Sequence, residues 1–188
     1  EGAELIDKFQ TQVSQFPIDQ KIGYKVSRLE KIDGGFEVKI ETGDRYQSKV
    51  AIFATGKRPR KLNVPGEVDF TGRGVTYCAI CDGPVFSGER VAIVGGGNSA
   101  LETVLDMLKV SPQVYVISLT SLTADPVLIE KAVGSSNLTV FIEHVVEEVL
   151  GKDRVEGVLI RDLKSGEKKR LEAGGVLVEV GQVPNSEP

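Results

Sequence analysis

The chain has 188 residues, which by ordinary domain sizes is one complete domain plus a piece of another. With 40% hydrophobic and 27% charged residues it has the composition of a folded globular chain and not of a disordered one. A net charge of -4 offers no pull towards nucleic acid or an anionic membrane surface, and no apolar run reaches the roughly 20 residues that span a bilayer. Neither partner is therefore expected. The chain opens on Glu1–Gly2–Ala3 without an initiator methionine, so a processed or partial chain is expected. The two cysteines, Cys78 and Cys81, are too few for a secreted disulfide scaffold, and a reducing, cytoplasmic setting is expected.

Leu5, Ile6, Phe9, Val13 and Phe16 recur at helical spacing and predict an amphipathic helix stopped by Pro17. Three extended stretches follow. Gly23 to Ile32 and Phe36 to Ile40 alternate apolar and polar residues around a turn at Asp33–Gly34–Gly35. After a second turn at Thr42–Gly43–Asp44, Tyr46 leads to the apolar run Val50–Ala54. Alternation predicts strands with one wet face, and the continuous run predicts a strand buried on both faces. Lys57–Arg58–Pro59–Arg60 and Val64–Pro65–Gly66–Glu67 have linker composition and mark the expected domain boundary. Val91–Val94 is a second buried strand. A helix with Leu101, Val104, Leu105 and Leu108 on one stripe follows it, and Val114–Ile117 closes a strand–helix–strand unit. A short helix is predicted from Asp125–Pro126, and Leu138–Ile142 is the next strand.

The last fifty or so residues repeat an earlier order. His144 to Leu150, Val158 to Ile160, Leu171 and the buried run Gly175–Gly181 give wet strand, turn, wet strand, turn, buried strand, glycine, as do Tyr24 to Gly56. The tails Gly56–Lys57–Arg58–Pro59 and Gly181–Gln182–Val183–Pro184 match as well. The second copy is preceded by a glycine-rich strand–helix unit and the first only by a helix, so a matching unit is expected upstream of Glu1.

Two motifs carry chemistry. Gly95-x-Gly97-x-x-Ala100 joins a buried strand to a helix. Its first glycine allows a tight turn, its second lets a pyrophosphate approach the backbone, and its small third residue lets helix and strand pack closely. Phosphates would rest on the free N–H groups of the helix start, around Asn98 and Ser99. This predicts dinucleotide binding, against an ordinary strand–helix turn. The following strand ends Ile117–Ser118–Leu119–Thr120, with neither an acid for a ribose 2′-hydroxyl nor an arginine for a 2′-phosphate, and no arginine occurs between Arg90 and Arg154. NADPH is thereby disfavoured and NADH is left open. Cys78-x-x-Cys81 has three readings. Zinc needs about four ligands, and His144 is the only other candidate, so it is disfavoured; no metal site is expected. Inert buried cysteines are the second reading. A redox dithiol, favoured by the turn-rich surroundings near a nucleotide unit, is the third. Asp82 is then either a proton shuttle for the thiols or a turn cap. His144 by itself reads as a packing residue.

The string Gly72-Arg-Gly-Val-Thr-Tyr-Cys78-Ala-Ile-Cys81-Asp-Gly-Pro84, followed by Val91-Ala-Ile-Val-Gly-Gly-Gly-Asn-Ser-Ala-Leu-Glu102, resembles the low-molecular-weight thioredoxin reductases and the related flavoprotein subunit of alkyl hydroperoxide reductase. Ala54–Thr55–Gly56, Val64–Pro65–Gly66–Glu67 and Val180–Gly181-x-x-Pro184–Asn185 extend the match along the whole chain. The resemblance implies an α/β, Rossmann-like FAD/NAD(P)-binding fold: a partial FAD domain over 1–66, a pyridine-nucleotide domain over 67–184, and a return to the FAD domain over 185–188. It implies that Cys78 and Cys81 take electrons from reduced FAD and pass them to a disulfide of thioredoxin, a thioredoxin-like protein or a peroxiredoxin, with Asp82 as proton donor. It assigns nucleotide binding to Gly95, Gly96, Gly97, Asn98, Ser99, Ala100, Ser118 and Gly181. FAD contacts fall to Ala54, Thr55, Gly56 and the Val26 backbone, with NAD(P)H as donor, a homodimer as the assembly, and interdomain hinges near Pro65–Gly66 and Val183–Pro184. The family's NADPH users carry a His-Arg-Arg string where Ser118–Leu119–Thr120 stands here, while Leu122–Leu128 is more similar to the NADH-using relative, which has an acid in place of Ser118. A nucleotide-binding module without catalysis is the reading from another class.

Overall fold

Turn chemistry organises the first fifty residues, and strand pairing organises the rest. In the computed structural model, which describes residues 2–186, the chain forms two compact units, Glu1–Gly56 with Asn185–Pro188 and Lys57–Pro184. The first contains α1 (Gly2–Val13), whose apolar stripe of Leu5, Ile6, Phe9 and Val13 is exposed along its length. Next come β1 (Val26–Ile32), β2 (Gly35–Ile40) and β3 (Arg45–Ser48), an antiparallel meander in that order. The Asp33–Gly34 dipeptide closes the first hairpin, where Ile32 pairs with Gly35. Ile40 is buried, and Arg45 reaches across to Glu37 at 2.9 Å.

The run Val50–Ala54 departs from expectation. It forms no strand; Val50 and Phe53 are exposed, and Ile52 is 90% exposed. A strand is stabilised by the neighbours that take up its N–H and C=O groups, and none of the described strands lies beside this run. The matching run of the second copy has such neighbours and is fully formed, so the internal repeat holds for the two meanders and parts at this strand.

The second unit begins with β4 (Lys57–Pro59) and proceeds through β5 (Val75–Thr76), α2 (Ala79–Asp82) and a 3-10 turn, Gly83–Phe86. Then come β6 (Val91–Val94), α3 (Asn98–Met107), β7 (Val114–Ser118), α4 (Pro126–Val133) and β8 (Leu138–Ile142). An antiparallel meander of β9 (His144–Gly151), β10 (Val155–Asp162) and β11 (Lys168–Glu172) leads to β12 (Gly175–Val178) and β13 (Gln182–Pro184). β5, β12, β6, β7 and β8 form one parallel sheet in that order. Its strands read as unbroken apolar runs because both faces are covered. Val91, Ile93, Val114, Val116 and Leu177 pack on Leu101, Val104, Met107 and Ala132 from the helices. Ala92, Val94, Ile117, Val176 and Val178 pack on Val146, Val149, Val158, Ile160 and Leu171 from the meander. At about 1.5–3 kcal/mol for each fully buried aliphatic side chain, this three-layer core carries the unit's stability.

The division between units falls at Gly56/Lys57 and not between Gly66 and Glu67. Residues 57–66 belong to the second unit for three reasons. β4 pairs antiparallel with β13. Val149 N donates to Pro65 O at 2.9 Å, and Gly66, at φ +81°, lies so close to β9 that a Cβ would stand 2.1 Å from Val149 O. The Pro65–Gly66 turn is thus held against β9. Glu67 completes the attachment: fully buried, its carboxylate accepts from Leu62 N, Asn63 N and the Tyr77 hydroxyl, each at 2.7 Å. A buried carboxylate is tolerated because its acceptor sites are matched by donors.

Glu67→Gln keeps the shape but turns an amide donor towards N–H and O–H donors, and is expected to cost about 2–4 kcal/mol in urea unfolding. Burial, and then the Glu67 carboxylate, push the Tyr77 hydroxyl up to about 12. The native state therefore keeps a proton that the unfolded chain loses above about 10, so this contribution to stability is complete below about pH 10 and is lost as pH rises towards about 12. Tyr77→Phe is expected to remove that part of the alkaline loss, read from unfolding midpoints across the range.

Candidate functional site

Parallel pairing brings three chain segments to one edge of the sheet. β12 lies between β5 and β6, with Leu177 beside Thr76 on one side and Val178 beside Val94 on the other. Because all three run in the same direction, the turn after β5, which carries Cys78 and Cys81, and the glycine turn after β6 leave from the same edge. Glu179 stands between them at the end of β12. The carboxyl edge of a parallel sheet, where neighbouring strands depart in different directions, is where such folds bind ligands.

Gly95 has φ +140°, and a Cβ there would lie 2.3 Å from Glu179 O, so both backbone conformation and contact require glycine. A Cβ on Gly96 would stand 2.4 Å from the Ser118 hydroxyl. The turn is latched from above: Thr123 N and Ala124 N donate to Gly96 O at 2.7 and 3.1 Å. Asn98 is fixed by a reciprocal pair, its amide donating to the Asp125 carboxylate at 2.9 Å while its carbonyl accepts from Asp125 N at 2.8 Å. The first-turn N–H groups of α3, at Asn98, Ser99 and Ala100, have no acceptor within their helix and suit an anionic pyrophosphate. At this helix start lies a cleft of about 540 Å³ lined by Gly95, Gly96, Gly97, Asn98, Ser99, Ser118, Glu179 and Gly181. That size suits part of a dinucleotide. Ala100 is buried under the turn, where its small side chain lets α3 approach β6. Ser118 is buried as well, with its hydroxyl against Gly96. Arg60 and Lys61 also line this cleft, as does His144, whose Nδ1 lies 2.7 Å from Ile142 O. A search for cations restricted to the chain after β7 misses the first two, since the β4–β13 pairing delivers them from another segment.

Cys78 and Cys81 are joined in a disulfide, and both are exposed. Cys78 caps α2, its sulfur accepting from Cys81 N at 3.3 Å. Asp82 N donates to Cys78 O at 3.0 Å. Thr76, buried at the end of β5, holds the pair from beneath: its hydroxyl accepts from Cys78 N at 3.1 Å and donates to the Asp82 carboxylate. Asp82 is half-buried next to Cys81, its carboxylate fixed by the Thr76 hydroxyl. Thr76 gave no sign in the sequence; its role follows from the end of β5 lying under the cysteine turn.

Glu179 was also missed. It lines the nucleotide cleft and a second, larger cleft of about 1050 Å³ that contains Cys78, Ala79 and Ile80. Its carboxylate accepts from the Thr103 hydroxyl at 3.5 Å. Burial pushes its pKa above the usual carboxylate value, partly opposed by the hydrogen bond from Thr103.

The FAD-contact candidates belong to the first unit. Thr55 Oγ1 donates to Asn185 O, and Asn185 returns hydrogen bonds to Thr55 O and Gly56 O, each at 3.0 Å. Val26, Ala54, Thr55 and Gly56 are all exposed. Among the described residues no group of three or more histidine, cysteine or acidic side chains gathers as a metal site, and no helix is long and apolar enough to cross a membrane.

A parallel nucleotide-binding sheet with a disulfide at its carboxyl edge defines a nucleotide-linked disulfide oxidoreductase fold. Comparison with known proteins agrees. The family model described as pyridine nucleotide-disulphide oxidoreductase matches residues 4–188, and the chain belongs to that family. It is 39% identical over its whole length to a protein named NADH dehydrogenase from Bacillus subtilis, of which it covers 37%. Over 98% of its length it is 36% identical to a subunit of alkyl hydroperoxide reductase from Staphylococcus aureus, again covering 37% of that protein. The structure of thioredoxin reductase from Streptococcus pyogenes superposes on 100% of the chain with a TM-score of 0.75 and 33% identity, 61% of that chain being covered. The chain thus spans little more than a third of the length of these curated relatives. Membership implies FAD and a pyridine nucleotide as cofactors.

Gly95→Ala must move either the turn or the Glu179 carbonyl. It is expected to cost about 1–3 kcal/mol in chemical denaturation and to weaken dinucleotide binding measured by calorimetry.

Proposed function

We propose that this chain provides the nucleotide site and the redox disulfide of a flavin-dependent disulfide oxidoreductase, which passes electrons from a reduced pyridine nucleotide to a disulfide in a partner protein. The observation that carries the reading is the exposed Cys78–Cys81 disulfide beside the glycine turn, with Asp82 next to Cys81 fixed by Thr76. FAD, when bound, supplies two-electron transfer between nucleotide and disulfide. The chain's own residues do the rest. Two electrons and two protons open Cys78–Cys81 to two thiols. One of these, as a thiolate, attacks the partner disulfide, and a mixed disulfide forms as the partner's leaving sulfur departs. The second cysteine then attacks the mixed disulfide, restoring Cys78–Cys81 and releasing the partner with two thiols. Asp82 holds the proton that each thiol must lose before attack.

Thioredoxin, a thioredoxin-like protein or a peroxiredoxin suits as partner, and a cytoplasmic homodimer as the working form. The second reading, an NADH-dependent peroxiredoxin reductase, is favoured by the identity with the alkyl hydroperoxide reductase relative and by the absence of a cation from Ser118–Leu119–Thr120. The cleft nevertheless contains Arg60 and Lys61, which are placed to offset phosphate charge.

Cys78→Ser and Cys81→Ser in the flavin-loaded holoenzyme are each expected to lower partner-disulfide turnover by about a thousandfold or more while nucleotide still bleaches the flavin. Undiminished turnover overturns the redox assignment and favours a silent nucleotide-binding module. In stopped-flow experiments NADH is expected to bleach the flavin at least about tenfold faster than NADPH. The reverse order would place a 2′-phosphate on Arg60 and Lys61, and bleaching by neither would remove the nucleotide assignment.

A further inference from the structure

β7 ends without an acid to read a ribose: Ser118 is buried against Gly96, and Leu119 and Thr120 follow it. The neighbouring strand supplies a polar group at the same edge. Ser118 pairs with Ile142 at the end of β8, and the chain leaves that strand through Glu143, a non-glycine residue at φ +57°. This left-handed turn delivers His144 to the nucleotide cleft. His144 Nδ1 lies 2.7 Å from Ile142 O, and since a carbonyl only accepts, Nδ1 carries a hydrogen. Nε2 of the neutral ring is then an acceptor, and it has no hydrogen bond among the described residues. Asp162, opposite His144 in the β9–β10 pairing, stands 3.9 Å from Nε2, beyond hydrogen-bond reach. Its other oxygen accepts from Ser165 N and Lys164 N at 3.0 and 2.6 Å, which lowers its pKa below the usual carboxylate value.

We propose that His144 reads the adenosine ribose of the pyridine nucleotide, its Nε2 accepting the 2′-hydroxyl while the nearby Asp162 carboxylate opposes a 2′-phosphate. The proposal rests on the nucleotide-site reading above and names the groups that set the site's preference. In folds of this kind the pyrophosphate lies at the glycine turn and the ribose at the end of the next strand, here β7. β8 lies one strand spacing, about 4.8 Å, to the side of β7, and His144 follows two residues after its last pair. The other charges near the ring do not offer a 2′-phosphate a site. Glu143 is paired with Lys164 at 2.5 Å, Lys169 lies over the Phe141 ring at 5.3 Å, and neither lysine lines the cleft. Phe141 in turn packs on the His144 ring, 5.3 Å between centroids. Arg60 and Lys61 enter from the opposite side: Arg60 N donates to Gly181 O at 3.0 Å, just past β12, and the strand order β12-β6-β7-β8 separates that point from His144. The histidine and carboxylate together do what an acid at the end of β7 does alone, offering an acceptor to a hydroxyl and a negative charge to a phosphate.

Calorimetry on the oxidised holoenzyme at about pH 8 tests this with NAD⁺, its 2′-deoxyadenosine analogue and NADP⁺, none of which reduces the protein. The unaltered protein is expected to bind NAD⁺ about three- to tenfold more tightly than the 2′-deoxy analogue, and at least about tenfold more tightly than NADP⁺. His144→Ala is expected to bind NAD⁺ and the 2′-deoxy analogue within about twofold of each other. Both ligands meet the same protein, so a general weakening of the cleft lowers the two affinities alike and does not produce that convergence. Asp162→Asn keeps an acceptor for Ser165 N and Lys164 N and removes the charge. It is expected to leave NAD⁺ within about threefold and to tighten NADP⁺ by about three- to tenfold. Undiminished discrimination against the 2′-deoxy analogue in His144→Ala, or tighter binding of NADP⁺ than of NAD⁺ by the unaltered protein, overturns the role of His144 and leaves the nucleotide site standing. Unchanged NADP⁺ affinity in Asp162→Asn overturns the part given to Asp162. Binding of neither NAD⁺ nor NADP⁺ to the unaltered protein overturns the nucleotide reading and the proposal together.

Discussion

The parallel pairing of β12 with both β5 and β6 is the constraint on which the rest of this molecule depends. Those three strands are far apart in sequence, and the segments that follow them carry the disulfide, the glycine turn and Glu179. Were β12 displaced by one residue, its buried valines would exchange faces, and Val176 and Val178 would leave the meander-side core for the helices. The contact of Gly95 with Glu179 O ties the glycine turn to that register. Chemistry at the carboxyl edge is therefore positioned by hydrophobic alternation in the sheet, not by the turns that bear it.

Around this frame, buried polar groups fix segments that apolar packing alone would leave free. Glu67 gathers Leu62 N, Asn63 N and Tyr77 and so joins residues 57–66 to the second unit, placing Arg60 and Lys61 at the nucleotide cleft. Thr76 performs the same service for the cysteine turn, binding Cys78 N and Asp82 at once. Asn98 and Asp125 join the starts of two helices and keep the first turn of α3 open to a ligand. Each is a case of backbone N–H groups outside regular structure finding acceptors on a single side chain.

Much of this was legible in the sequence, and the exceptions share a cause. Local patterns in the second unit, such as the apolar run Val91–Val94, the stripe on α3, Pro126 at the start of α4 and the meander before Gly175, each correspond to an observed element. Cys78, Cys81, Asp82 and Gly95 to Ser99 lie where their motifs put them, at one sheet edge. What local pattern could not reveal depends on pairing between distant segments. Val50–Ala54 reads as a buried strand yet forms none, because apolar content states what a segment can bury and not whether a neighbour is there to receive it. Pro65–Gly66 reads as a linker yet is clamped by β9. Arg60, Lys61, Thr76 and Glu179 carry no motif of their own and acquire a role only through the strand order.

Passage of electrons from a pyridine nucleotide to Cys78–Cys81 is tested most directly by an anaerobic titration of the holoenzyme with NADH, trapping free thiols by rapid alkylation and locating them by mass spectrometry. Cys78 and Cys81 are both predicted to become labelled as NADH is consumed, in step with one another and with no added thiol reductant. NADH oxidation that leaves Cys78 and Cys81 joined to each other would contradict it.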